Sequence, residues 1–273
     1  MNTQPFSVLM SVYAKDRPDW VSAALESVLT NSISPNEVVV VLDGPVPGEL
    51  QSVLHTFSQK YPQIKLCPLA KNGGLGPALA HGLLQCSHEL VARMDADDIS
   101  LPDRFEKQLA YFAAHPQTTV LGGFIQEVDS QTLAPVAVRQ VPLTDAAIKQ
   151  FLKTRSPFNH VSVMFKKSAV LAAGNYQPFH FVEDYYLWAR LTARGATYAN
   201  LFDILLNVRV DSAMYGRRGG WKYFKSNLAI SRKLLELGLI SLPMHLFNAC
   251  VRFCVQILMP NCVRSYFYRK VLR

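Results

Sequence analysis

The first half of the chain alternates two hydrophobic patterns. Short, nearly continuous apolar runs occupy Phe6–Tyr13, Glu37–Leu42, Ile64–Leu69 and Leu90–Met94. Their length and β-branched content predict strands buried on both faces. Between and after them the apolar positions recur at helical spacing, as with Trp20, Ala24, Leu25 and Val28 in Asp19–Asn31. Leu50–Lys60, Gly76–Gln85 and Arg104–Ala114 read the same way. Strand and helix in strict alternation predict parallel βαβ units, with helices covering both faces of one sheet.

The second half is less regular. Val120–Val128 reads as a strand, and the polar stretch after it as a hairpin toward Val136–Val141. Val161–Phe165 is a further expected strand, while Tyr185–Arg194 and Trp221–Gly238 are expected helices. No Pro/Gly/Ser linker divides the chain. The expectation is one α/β domain over residues 1–215 and a basic helical extension over 216–273.

Composition narrows the class. Of 273 residues 49% are hydrophobic and 18% charged, too apolar for a disordered chain. The net charge of +8 is segregated: Arg217–Arg273 holds eleven Lys/Arg against one acid, leaving 17 basic and 19 acidic residues before it. Such an end suits a polyanionic surface. In Met244–Met259 the polar residues His245, Asn248, Arg252 and Gln256 form one narrow helical stripe beside a broad apolar face. That greasy face favours anionic lipid over nucleic acid, with a core or dimer helix as the plain alternative. No signal peptide or transmembrane helix is expected. Five cysteines at scattered spacings fit buried, reduced thiols better than zinc or disulfides.

Two expected strands end in acids. Glu37–Leu42 runs into Asp43-Gly44, and Leu90–Met94 into Asp95-Ala96-Asp97-Asp98. Open parallel sheets bind ligands beyond these carboxyl ends. In extended backbone, side chains two apart point the same way, so Asp95 and Asp97 can share a pocket. Paired carboxylates suit a hard divalent cation carrying phosphate oxygens. The plain alternative is a solvated acidic turn before a helix.

The chain also resembles the family 2 glycosyltransferases, inverting enzymes of the GT-A fold. The likeness rests on SVLMSVYAKDR (7–17), EVVVVLDG (37–44), KNGGLGPALAHG (71–82), RMDADDISLPDRFEKQ (93–108), FNHVSVMFKKS (158–168) and FVEDYYLWARL (181–191). It is nearest to bacterial enzymes of exopolysaccharide, capsule and O-antigen (lipopolysaccharide) assembly, a likeness that MYGRRGGWKYFKSN strengthens. The resemblance implies a UDP-sugar donor, with Ser11, Val12 and Tyr13 lining the base pocket and Asp43 accepting from the base. It implies Asp95 at the ribose or metal shell, Asp97 on Mn2+ or Mg2+, and Asp184 as the base that deprotonates the acceptor hydroxyl. The donor sugar would be galactose or glucose, and the acceptor a lipid-diphosphate-linked glycan at the cytoplasmic face of the inner membrane. The sequence departs from the family pattern at Leu42, where a second acid is common, and at His81, where Asn is common.

Other positions have plainer readings beside the functional ones. The plain reading of Asp184 is an N-terminal cap or dipole partner of its helix, over which the resemblance favours the base. Glu183 would stand beside the acceptor, and His160 is either a structural residue or one lining the acceptor or metal pocket. Among Lys71, Arg93, Arg209, Arg217 and Arg218, Arg93 is the favoured diphosphate ligand because it abuts the acids. Two other functions stay open: a nucleotidyltransferase with a similar carboxylate site, and a non-catalytic membrane-bound scaffold that binds nucleotide-sugar.

Overall fold

The computed structural model describes residues 4–211 and 220–259. Arg217, Arg218, Cys262 and the basic residues Arg264, Arg269, Lys270 and Arg273 lie outside the described residues. The first four strands are β1 (Phe6–Val12), β2 (Glu37–Leu42), β3 (Ile64–Pro68) and β4 (Leu90–Asp95). They pair in parallel in the order β3-β2-β1-β4, with Leu9 opposite Val39 and Arg93. Alternation along each strand splits the core in two. Val8, Met10, Val38 and Val40 face α1 (Pro18–Leu29), α2 (Gly48–Lys60) and α4 (Arg104–Ala114). Leu9, Val39 and Val41 face α3 (Leu75–Gln85) and, further round the sheet, α7 (Glu183–Ala193).

The sheet then turns mixed. After β5 (Ile99–Ser100) come β6 (Val120–Asp129), β7 (Pro135–Arg139), β8 (Met164–Lys166) and β9 (Tyr198–Val210). Strand β8 joins β4 antiparallel, β6 follows it, and β9 lies parallel to β6. The far edge curls back: β9 pairs with β5, which begins four residues after β4 ends. This curl delivers Arg209 to the acidic segment. Shifts in register at Gly123 and Phe124 mark where β6 and β9 bend.

Three elements of this half differ from expectation. Val161–Phe165 begins as a 3-10 turn (His160–Ser162), and the strand proper starts at Met164. The long β9 escapes the sequence pattern because Asn200, Asp203, Asn207 and Arg209 interrupt its apolar run. Two short helices, α5 (Asp145–Leu152) and α6 (Lys167–Ala172), are likewise unanticipated.

The chain closes with α8 (Gly220–Glu236) and α9 (Leu242–Phe253), the latter running into a π-turn to Leu258. Cys67 and Cys86 are buried as expected, but Cys250 and Cys254 are exposed. The correction has a physical cause: α9 turns its polar stripe toward the protein, so its thiols face outward. Among the described residues no helix is long and apolar enough to cross a membrane.

Candidate active site

The carboxyl ends of β1, β2 and β4 form one rim. Ser11 stands opposite Val41 on one side and Asp95 on the other. Val12 is fully buried beside Leu42, and its carbonyl accepts from Asp43 N at 2.8 Å. Tyr13 is exposed and opens a turn in which its N–H donates to Asp16 Oδ2 at 2.9 Å.

Asp43 is buried and holds a loop in place. Its Oδ1 accepts from Gly73 N at 2.7 Å and its Oδ2 from Gly74 N at 2.9 Å. Asn72 Nδ2 donates to the Asp43 carbonyl at 3.1 Å. Each carboxylate oxygen has a second lone pair, so a base N–H remains compatible with this arrangement. Gly44 makes the approach possible: its φ is +84°, and a Cβ there would stand 2.5 Å from Asn72 N. The KNGG segment is therefore a loop clamped on the β2 rim. It leads into α3, whose Gly76 lies against Glu183, where an added Cβ would sit 3.5 Å from the glutamate Cβ.

Asp95, Asp97 and Asp98 bring carboxylate oxygens within 4.8 Å of one another. The convergence does not come from strand alternation, as the spacing suggested. Only Asp95 belongs to β4, and a turn follows it. Asp98 accepts from Arg209 N at 3.0 Å and is buried, and Arg209 Nη1 donates to the Asp97 carbonyl. The guanidinium of Arg209 stacks 5.2 Å from the centre of the Trp20 ring. Burial, with Asp95 alongside, pushes the Asp97 carboxyl up to about 6, and burial raises Asp98 as well. Asp16 joins the group: burial, then Asp97 and Asp95, carry it up to about 7. A cluster of carboxylates that repel one another this closely, with an all-oxygen donor set, fits a hard divalent cation, Mg2+ or Mn2+.

Arg93 lies beneath the rim, 2% exposed, with Nη1 paired to Asp95 Oδ2. Its positive charge also reaches Glu183 and Asp184 at the start of α7. Burial and the neighbouring Asp184 raise Glu183 to about 7, and Asp95 adds to the shift. The two acidic groups therefore share one electrostatic site. Asp184 accepts from Ser156 Oγ at 3.1 Å, and burial raises its carboxyl despite the bond from Tyr185 N. His160 meets the Tyr176 hydroxyl through Nε2 at 2.9 Å. Burial and then Arg93 hold His160 well below the usual imidazole range, which keeps it neutral at pH 7.

The rim thus gathers Ser11, Val12, Tyr13, Asp43, Asp95, Asp97 and Arg209, while Lys71 stays exposed on the clamped loop. Glu183 and Asp184 are linked to it through Arg93, which lies buried beneath rather than open to a diphosphate as expected. Sequence reasoning missed Asp16, Ser156 and Tyr176. Asp16 had a signal in its position just past the first strand; the other two gain their place only through packing.

Comparison with known proteins agrees with this architecture. Residues 7–172 match the model of glycosyl transferase family 2. The chain is 39% identical over 265 residues to the amylovoran biosynthesis glycosyltransferase AmsE of Erwinia amylovora, covering 97% of this chain and 98% of that one. It is 37% identical over 272 residues to the UDP-Gal:alpha-D-GlcNAc-diphosphoundecaprenol beta-1,3-galactosyltransferase of Escherichia coli, covering 100% and 98%. Among solved structures, S. aureus TarS 1–349 in complex with UDP-GlcNAc superposes with a TM-score of 0.70 at 16% identity, over 97% of this chain and 79% of that one. The mannosyltransferase PcManGT of Pyrobaculum calidifontis, in complex with GDP-Man and Mn2+, gives 0.64 at 14% identity over 96% and 79%. The fold is that of the GT-A glycosyltransferases. This chain belongs to glycosyl transferase family 2.

Proposed function

We propose that the protein transfers a hexose, galactose or glucose, from a UDP-sugar to a lipid-diphosphate-linked glycan, with inversion, in bacterial surface polysaccharide assembly. Family membership favours glycosyl transfer over the nucleotidyl transfer and scaffold readings. The observation that carries the proposal is the electrostatic union of two carboxylate groups, Asp95/Asp97 and Glu183/Asp184, around the buried Arg93. One group suits a divalent cation that would carry the donor's diphosphate, and the other the acceptor's hydroxyl. The relatives named for polysaccharide synthesis, at 39% and 37% identity over nearly full length, support the acceptor class.

In this reading Ser11, Val12 and Tyr13 line the base pocket, and Asp43 accepts from the base while fixing the loop at Gly73 and Gly74. Asp97 and Asp95 would hold Mn2+ or Mg2+, which would offset charge on the departing diphosphate. Arg93 pairs with Asp95 at the rim and anchors its carboxylate. Asp184 accepts the proton of the acceptor hydroxyl, the freed oxygen bonds to the anomeric carbon, and the bond to the nucleoside diphosphate breaks on the opposite face. Burial raises the basicity of Asp184, and the Ser156 hydrogen bond fixes its orientation. Glu183 precedes it in the chain, and Tyr176, which meets the neutral His160, feels both carboxyls.

The test is a panel of nucleotide-sugars offered with a synthetic lipid-diphosphate N-acetylhexosamine. Release of UDP with a new glycosidic bond is expected. Release of pyrophosphate, or donor binding with no transfer to any acceptor, would overturn the proposal.

A further inference from the structure

The last helix of the closing hairpin is folded with its polarity reversed, while α8 buries Ile230 and Leu234 in the ordinary way. In α9, Met244 apart, the residues turned toward α8 and the body are polar. His245 Nδ1 meets Ser231 Oγ at 2.9 Å, and Asn248 donates to the Lys153 carbonyl at 2.9 Å. Arg252 reaches the Asn227 side chain and the Thr154 carbonyl, and Gln256 is buried. The opposite side carries Leu242, Leu246, Phe247, Val251 and Leu258, with Phe247 61% and Leu258 62% exposed. A helix that packs on a soluble core does the reverse, burying its apolar stripe. The apolar side continues onto α8 through an aromatic cluster. Trp221, 59% exposed, lies 5.9 Å from Phe224 and 6.2 Å from Phe253, and Phe224 lies 5.7 Å from Phe253 between ring centres. A contiguous exposed patch of this kind marks an interaction surface.

Charge selects the occupant. Lys222, Lys225 and Arg232 are exposed on α8, and the single acid of residues 217–273, Glu236, is bridged by Arg232 and Lys233. A second copy laid on this face would bring two strongly basic segments together, which costs binding. An anionic bilayer supplies both what the greasy side lacks and what the lysines lack, and Trp and Phe settle at the depth of the headgroups.

We propose that the outer face of α8 and α9 is a docking surface for an anionic lipid bilayer, lying in the plane of the membrane. The proposal stands apart from the identity of donor and acceptor. Where the acceptor is lipid-linked, the dock has a further use. Tyr223 of α8 lies 5.8 Å from Phe181, two residues before Glu183, so the membrane side of the protein adjoins the catalytic loop.

The experiment is co-sedimentation of the full chain, without donor or acceptor, with phosphatidylglycerol/phosphatidylethanolamine vesicles and with phosphatidylcholine vesicles. Binding to the anionic vesicles about tenfold or more stronger is expected. The double change Leu246→Glu and Phe247→Glu should lower it by about tenfold or more. Lys222→Glu with Lys225→Glu should lower it and flatten its salt dependence. Circular dichroism melting monitors folding, and if the first pair fails to fold, Leu242→Glu alone serves in its place. Two outcomes overturn the proposal. One is that wild type ignores both vesicle types; the other is that the glutamate variants sediment like wild type. If light scattering shows a dimer that Phe247→Glu disperses, with no vesicle binding, the face belongs to a second copy. Because no sugar chemistry enters the assay, failure of the transfer reaction leaves its result unaffected.

Discussion

The guanidinium of Arg93, fully enclosed beneath the sheet rim, is ion-paired to Asp95, the first carboxylate of the acidic cluster. A buried cation among acids holds several groups at once, because Asp95, Glu183 and Asp184 all feel it. Arg93→Met keeps much of the volume and removes the charge. The expected cost is about 1–2 kcal/mol in urea unfolding: Arg93 is enclosed, but Asp95, with its side chain 38% exposed, turns part of its charge to water. Arg93→Lys restores charge without the planar fork and should recover part of that loss. Unchanged stability in Arg93→Met would show that the pair carries no structural weight.

Gly44 offers a second test, on backbone rather than charge. With φ at +84° and Asn72 N 2.5 Å from any added Cβ, Gly44→Ala must displace the loop that Asp43 clamps. We expect a loss of roughly 2–3 kcal/mol in stability and weaker UDP binding by calorimetry. A fully stable variant with normal UDP affinity would separate the loop from the donor site.

These two positions show how unevenly the site is written in the sequence. Asp43, Asp95 and Asp97 were legible because acids closing β-branched runs mark the ligand-binding edge of a parallel sheet. The four strands of the first half were legible for the same reason: periodicity there is local. Strand β9 was not, because the partners that shelter Asn200 and Arg209 are distant in sequence, such as Pro142 for Asn200 and Asp98 for Arg209. Ser156 and Tyr176, in the loops after α5 and α6, gain meaning only when the chain is folded. The inward polar stripe of α9 was visible as a stripe, but its direction was not, since a helical pattern carries no statement of which side meets the protein.

Asp97 should decide the role of the cluster. Its carboxyl is raised to about 6 by burial and by Asp95, so a cation must displace a proton to bind below that pH. Mn2+ affinity, read by calorimetry, should therefore weaken as pH falls through about 6. Chelation with EDTA should abolish turnover and added Mn2+ restore it. Asp97→Asn should remove the metal stimulation; turnover that responds to Mn2+ as in wild type would exclude Asp97 as a ligand.

Glu183 makes a prediction about stability against pH. Its folded-state carboxyl is raised from the ordinary 4.5 to about 7, chiefly by burial. A raised acid binds its proton more tightly folded than unfolded. Its contribution is thus present in full below about 4.5 and disappears as pH rises through about 7. Partial solvent contact reduces the effect to on the order of 2 kcal/mol. Glu183→Gln, which never ionises, should melt higher than wild type at pH 8 and differ little at pH 4.5. Parallel melting profiles for the two proteins across that window would contradict the assignment.

Asp184→Asn separates chemistry from binding. The amide keeps the shape of the carboxylate: its oxygen can still accept from Tyr185 N, and Ser156 Oγ can accept from the NH2 where it had donated, so the start of α7 should hold its geometry. It cannot take a proton from the acceptor. UDP affinity should stay within about twofold of wild type while transfer falls by about a hundredfold or more, the usual scale of a lost general base. Glu183→Gln is the control, since it alters the adjacent carboxyl and should retain most of the transfer rate. If Asp184→Asn transfers normally and Glu183→Gln does not, the base is the glutamate, and Asp184 is reduced to an acid in the first turn of its helix.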